Sequence, residues 1–123
     1  MNKLILIIED EMDMREAEAS ALEANGFTVL MAENGEMGLR MAIENKPDLI
    51  LLDLLMPIMG GQEMLQKLRN DPWGNTAKVI MTTALDDVEN IGLGFEKGID
   101  DYIIKSSASL ADIVEKVKQV LVR

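Results

Sequence analysis

The chain has neither cysteine nor histidine among its 123 residues. The first absence excludes disulfides and thiolate metal sites and fits a reducing compartment, so the cytoplasm is the expected location. The second removes imidazole general-base chemistry and any self-contained histidine phosphorylation. Basic residues are few: 12 Lys and Arg stand against 22 Asp and Glu, giving a net charge of -10. The acids are spread along the chain rather than gathered in a tail. That balance argues against direct nucleic-acid binding, which needs basic surface. No apolar run is long enough to insert in a membrane, and Leu4 to Ile8 after Met1-Asn2-Lys3 reads as a strand, not a signal peptide.

What is present is a regular alternation of strand and helix patterns within the length of one domain, residues 1–123. Leu4 to Ile8 and Leu49 to Asp53 are continuous apolar runs bounded by turn signals, as expected for strands covered on both faces. Residues 27–31 suit an edge strand, and strands are also expected over residues 78–82 and 102–104. Between them lie helices stopped by Gly26, capped by Asn34 and ended before Pro47, or opened at Gly60-Gly61. Asp86-Asp87-Val88-Glu89 and Ser109-Leu110-Ala111-Asp112 have capping-box spacing for the last two helices. In the final one, Leu110, Ile113, Val114, Val117, Val120 and Leu121 recur at helical spacing. Five strand–helix units predict an α/β fold, a doubly wound parallel sheet with right-handed crossovers. There is no repeat or linker, and ten methionines read as core filler.

In such folds ligands bind outside the carboxyl ends of the strands. Those ends carry Glu9 and Asp10, Asp53, Thr83, and Lys105. Facing carboxylates repel and raise one another's pKa, and a hard divalent cation such as Mg²⁺ relieves this. Lys105 adds positive charge and Thr83 a hydroxyl donor. A metal, an ammonium and a hydroxyl around one carboxylate make a site for a phosphoryl group on that carboxylate.

These residues carry a family resemblance. The chain resembles the receiver domain of two-component response regulators. The matching segments are Ile7-Ile8-Glu9-Asp10-Glu11, the strand through Asp53 to Met56-Pro57, Val79-Ile80-Met81-Thr82-Thr83-Ala84, and Gly98-Ile99-Asp100-Asp101-Tyr102-Ile103-Ile104-Lys105. The resemblance implies a flavodoxin-like sheet of strand order 2-1-3-4-5. It implies that Asp53 is the phosphoacceptor and that Asp10 ligates Mg²⁺ directly. Glu9 would act through water, and the Leu55 carbonyl would complete the protein ligands. Thr83 and Lys105 would hold phosphoryl oxygens, with Tyr102 as the aromatic that follows Thr83. The phosphodonor would be a sensor histidine kinase or a histidine phosphotransfer protein, and the output a contact with a downstream protein.

Three positions depart from the family pattern. Glu9 replaces the commoner Asp. Gly60 stands where a capping Asp is frequent, a loss of a few tenths of a kcal/mol. Ser106 follows Lys105 in place of Pro, and a trans bond is expected there because a cis bond before a non-proline residue costs roughly 3 kcal/mol. Taken singly, each residue has a plainer reading: an acidic helix cap for Glu9-Asp10-Glu11, a turn residue for Asp53, surface groups for Thr83 and Lys105, core for Tyr102. Their joint placement at one sheet edge favours the functional reading. A flavin-binding module would not put three acids where phosphate must sit, and a phosphatase with an Asp nucleophile usually carries a second Asp where Leu55 stands. The remaining alternative is a receiver-like interaction module that is never phosphorylated.

Two further expectations concern behaviour. Gly92 and Gly94 weaken the fourth helix, so the face formed by that helix, the fifth strand and the last helix is the expected mobile output surface. The resemblance also implies that the side chains two residues after Asp53 and two after Thr83 border the path of attacking water; these are Leu55 and Leu85, which cannot orient water, so self-dephosphorylation should be slow. With Arg123 directly after the last helix, a stand-alone regulator signalling by protein contact is expected.

Overall fold

Two apolar runs set the centre of the sheet. Leu4–Ile8 (β1) and Leu49–Asp53 (β3) pair in parallel, Ile5 opposite Leu49 through Ile8 opposite Leu52, and Ile5 to Ile8 and Leu49 to Asp53 are all buried. A strand with no polar side needs helices on both faces, and the chain supplies them. The computed structural model describes residues 2–83 and 88–123. Thr28–Ala32 (β2) pairs with the outer side of β1, Val79–Thr83 (β4) with β3, and Asp101–Ile104 (β5) with β4, all parallel. The resulting order is 2-1-3-4-5, with β2 at an edge and partly exposed, as its mixed composition predicts.

Helices α1 (Met12–Ala24) and α5 (Leu110–Leu121) cover one face. There Ala19, Leu22, Ile113, Val114, Val117 and Val120 close over Ile5, Ile7, Leu49, Leu51, Ile80 and Ile103. Helices α2 (Gly35–Asn45), α3 (Gly61–Arg69) and α4 (Val88–Glu96) complete the fold, and Ala42, Met64, Leu65 and Leu68 pack on Leu6, Ile8, Ile50, Leu52 and Met81 of the opposite face. Each fully buried Leu or Ile contributes about 1.5–3 kcal/mol. No helix of the described residues is long and apolar enough to cross a membrane.

Several expected boundaries are found. The Asn34 side chain accepts from the Met37 N–H at 2.8 Å, and Ser109 and Asp112 form a reciprocal capping box. Helix α2 ends on Lys46 in a left-handed conformation immediately before Pro47. The helical spacing missed two short 3-10 turns, at Gly74–Thr76 and Lys105–Ser107. It also placed β2, β4 and β5 one residue off at one or both ends. The described peptide bonds include no cis bond, Lys105–Ser106 among them. Of the fourth helix's capping segment, Asp86 and Asp87 lie outside the described residues, as does Leu85.

Gly60 gives α3 no side-chain cap, as its identity requires. The next glycine has a positive role: a Cβ on Gly61 would stand 2.5 Å from the Asp53 carbonyl oxygen and 2.9 Å from Leu54 Cα. Only glycine lets α3 begin directly against the end of β3, and this fixes the loop that follows Asp53.

Candidate functional site: an acidic corner closed by a lysine

Pleating explains why the acids meet. Ile8 pairs with Leu52, so the next residues, Glu9 and Asp53, fall side by side with their side chains on the same face. Asp53 in turn pairs with Thr82. Glu9 is 1% exposed and Asp53 4%. Two carboxylates withdrawn from water at one spot need a cation, and β5 ends by delivering one. Lys105 Nζ donates to Glu9 Oε1 and lies 3.2 Å from Asp53 Oδ1. Glu9 Oε2 accepts from the Glu11 N–H at 3.2 Å. Glu11, at the N-cap of α1, makes no side-chain capping bond, which disfavours the acidic run as a mere helix cap.

Electrostatics follow from this packing. Burial, then the adjacent Glu9 carboxylate, pushes the Asp53 carboxyl up to about 7, with Lys105 offsetting part of the rise. Burial works against the Lys105 ammonium, but its bonds to Glu9 and Asp53 outweigh it and hold its pKa above the ordinary value. One ammonium therefore serves more negative charge than it can neutralise. Glu9, Asp10 and Asp53 each offer a carboxylate oxygen, and these three lie within 4.8 Å of one another. All-oxygen, mostly anionic donors at that spacing suit a hard divalent cation such as Mg²⁺.

The other expected residues lie on β4, on β5 and in the loop after β3. Thr83 ends β4 and is 2% exposed. Tyr102 pairs with Met81 and Ile104 with Thr83, so by alternation Tyr102 and Thr83 project from the same face of neighbouring strands. Tyr102 is half-buried and meets the Phe95 ring of α4 edge-on, with centroids 6.1 Å apart. Leu55 lies in the loop two residues after Asp53, its side chain 65% exposed.

Three features went unread in the sequence. Arg15 Nη1 donates to the Glu9 carbonyl at 2.8 Å and the Asp10 carbonyl at 3.4 Å, tying the acidic loop to α1. Its signal was present, since Arg15 is the lone basic residue between Lys3 and Arg40, set among acids. Gln62, at the start of α3, donates to the Asn90 carbonyl at 2.9 Å and accepts from Lys97 Nζ at 2.8 Å. It links the element that follows the Asp53 loop to both ends of α4. The third is Glu18 of α1, 2% exposed, whose Oε2 has no hydrogen-bond partner. Burial, then Glu9, pushes its carboxyl up to about 7, with Lys105 pulling the other way and Asp53 adding to the rise.

A doubly wound parallel sheet of order 2-1-3-4-5, with a lysine-closed acidic corner at the carboxyl ends of β1, β3 and β5, is the arrangement that the resemblance to receiver domains implies. The chain matches the response regulator receiver domain family over residues 5–118 and belongs to it. It is 40% identical over all 123 residues to the phosphate regulon transcriptional regulatory protein PhoB of Pseudomonas aeruginosa, covering 53% of that protein. It is 35% identical over 119 residues to the transcriptional regulatory protein PrrA of Mycobacterium tuberculosis, covering 50% of it. The chain thus spans about half the length of the curated relatives it matches. Among solved structures, a putative response regulator from Chloroflexus aurantiacus superposes with a TM-score of 0.92 at 30% identity over 100% of both chains. The Vibrio cholerae chemotaxis protein CheY4 shares the fold, with a TM-score of 0.91 at 22% identity over 98% of this chain and 99% of that one.

Proposed function

We propose that this receiver domain is a phosphorylation-dependent switch whose acceptor is Asp53. The observation that carries the reading is Lys105 Nζ bridging Glu9 and Asp53 in a buried corner where three carboxylates converge. The donor is a phosphohistidine on a sensor kinase or histidine phosphotransfer protein, since the chain has no histidine of its own. Asp53 attacks phosphorus; the new P–O bond forms as the P–N bond breaks, and its electron pair leaves on the imidazole nitrogen, which takes up a proton. Little covalent help is needed for so loose a transfer, so positioning and charge neutralisation dominate. Lys105 pairs with one phosphoryl oxygen and the Thr83 hydroxyl donates to another. Asp10, Asp53 and the Leu55 carbonyl, with Glu9 through water, would hold Mg²⁺, which when bound supplies the positive charge that Lys105 alone does not. Arg15 keeps the acidic loop in place from behind.

Once phosphorylated, the corner engages Thr83, and Tyr102 follows on the same face. Tyr102 packs on Phe95 of α4, so the face formed by α4, β5 and α5 carries the output to a downstream protein. Intact-mass analysis after acetyl phosphate tests the reading. One phosphoryl group should be added in Mg²⁺, and none in excess EDTA or in Asp53→Asn. Equal labelling of Asp53→Asn would overturn it.

A further inference from the structure

The loop that leaves Asp53 closes on itself before α3 begins. The Leu54 N–H donates to the Thr82 carbonyl at 2.9 Å, and the Gly61 N–H returns to the Leu54 carbonyl at 2.9 Å. Between those two bonds, Leu55 and Ile58 are 65% and 76% exposed, so their side chains anchor little. Ile58 has φ 70°, and the Met59 N–H donates to the Pro57 carbonyl at 2.8 Å, the short bond of a γ-turn. After this turn Met59 points inward, its side chain buried in the core shared with Ala42 and Met64. Its carbonyl meets α2 as well, accepting at 3.2 Å from the N–H of Gly35, the first residue of that helix. An amide in the first turn has no partner inside its own helix, so Met59 satisfies a donor that α2 leaves over. The fit is close. A Cβ on Gly35 would stand 2.3 Å from the Met59 oxygen and 3.1 Å from its carbonyl carbon and its Cβ.

We infer that Gly35 is a positioning residue for the Asp53 site: by seating the Met59 carbonyl, the start of α2 holds the loop that presents the Leu55 carbonyl to Mg²⁺. This rests on the phosphoacceptor reading above and extends it to an element that carries none of the site's side chains. The Leu55 ligand is a backbone oxygen, so only the path of residues 54–61 can aim it. That path is fixed at its ends by β4 and by Gly61, and on its far side by Gly35. The positive end of the α2 dipole adds to the attraction on the Met59 oxygen. A side chain at residue 35 must push that oxygen from 2.3 Å to at least 3.0 Å, because Cβ atoms essentially never come closer. Such a shift passes along the loop to a metal ligand, where placement matters to about 0.5 Å. The Lys105–Asp53 contact, made between strand ends, need not change.

Mg²⁺ titration and acetyl phosphate labelling of Gly35→Ala test this, with Gly74→Ala as the control. A Cβ on Gly74 would stand 2.2 Å from the Leu68 carbonyl oxygen, as close a clash, but before β4 starts and so at the opposite end of the sheet from Asp53. Both variants should lose stability. Only Gly35→Ala should bind Mg²⁺ about tenfold more weakly, the usual loss when a ligand's support is removed, with Gly74→Ala within about twofold of the unaltered chain. Labelling of Gly35→Ala at limiting Mg²⁺ should fall about tenfold and return to within about twofold at saturating Mg²⁺. An unchanged Mg²⁺ affinity would overturn the inference. So would an equal loss of affinity in both variants, or a labelling loss that saturating Mg²⁺ does not restore. The unaltered chain offers a measurement that needs no variant. Coupling is reciprocal, so saturating Mg²⁺ should slow hydrogen exchange of the Gly35 amide about tenfold and that of the Asn75 amide, bonded to the Asp71 carbonyl, less than about twofold. Equal slowing at both amides, or none at Gly35, would also overturn it. An unaltered chain that neither binds Mg²⁺ nor takes a phosphoryl group would overturn the phosphoacceptor reading, and the role of Gly35 with it.

Discussion

Asp53 and Glu18 are both buried acids, 4% and 2% exposed, and each carboxyl is pushed up to about 7 by burial first and by Glu9 second. Their surroundings differ in one respect. Asp53 has Lys105 Nζ at 3.2 Å and two further carboxylates close enough to share a cation. Glu18 sits in mid-helix with an unpartnered Oε2 and feels Lys105 only at longer range. The same desolvation is therefore met by a cation and converging oxygen donors in one place and left uncompensated in the other. Burial of an acid alone carries no functional reading; burial with a matched cation and converging oxygen donors is what supports the proposed one.

The largest expected effect comes from making Asp53 resemble Glu18. Lys105→Met leaves Glu9 and Asp53 facing each other without a cation, and breaking a buried pair from one side costs about 3–5 kcal/mol. Urea unfolding at pH 8 should show this loss, and at pH 5, where Asp53 is protonated, the loss should shrink. A pH-independent loss would mean that Lys105 contributes by packing alone.

Removing the unmatched acid should act in the opposite direction. Glu18 and Asp53 have ordinary values of 4.5 and 3.8 and folded values of about 7. The native state therefore binds more protons than the unfolded chain between those limits, and stability falls as pH rises through that window. For Glu18 the loss is complete above about pH 8 and amounts to about 3 kcal/mol. Glu18→Leu should be about 3 kcal/mol more stable than the unaltered chain at pH 8, with most of that gain gone at pH 4.5. Glu18→Gln should flatten the same pH profile but gain only about 1–2 kcal/mol at pH 8, because the amide is still buried and unpaired. Equal gains at both pH values would remove Glu18 from the account.

The smallest effect serves as the uncharged reference. A Cβ on Gly92 of α4 would meet nothing within 4 Å, whereas one on Gly94 would stand 2.8 Å from Ile99 Cδ1. Gly92→Ala should add about 1 kcal/mol at every pH and slow hydrogen exchange in α4, while Gly94→Ala should destabilise. The two glycines thus have different reasons. Gly94 lets α4 pack closely, and Gly92 leaves the helix weak where the output surface is proposed.

The contrast between the two acids also shows what could be read in the sequence. The buried strands were plain because Leu4–Ile8 and Leu49–Asp53 have no polar residue before their last position, and the acids at strand ends pointed to one corner. The family resemblance supplied the strand order and the residue roles. Glu18 was missed although Met14, Glu18 and Leu22 share a four-residue spacing, which places the acid on the stripe that α1 buries. Amid 22 acids nothing in the local sequence sets it apart. Gln62 and Ile58 were illegible for another reason. A hydrogen bond spanning 28 residues and the sign of one φ angle depend on tertiary placement, which local pattern does not encode.

Carboxyl ¹³C titration of the metal-free protein and of the protein saturated with Mg²⁺ tests the central contrast most directly. The account predicts midpoints near 7 for both Asp53 and Glu18 without metal. On adding Mg²⁺, the Asp53 midpoint should fall into or below the ordinary carboxylate range, while Glu18 moves far less. An Asp53 midpoint indifferent to Mg²⁺, or a Glu18 midpoint that falls as far, would contradict the claim that only the lysine-matched acid belongs to the site.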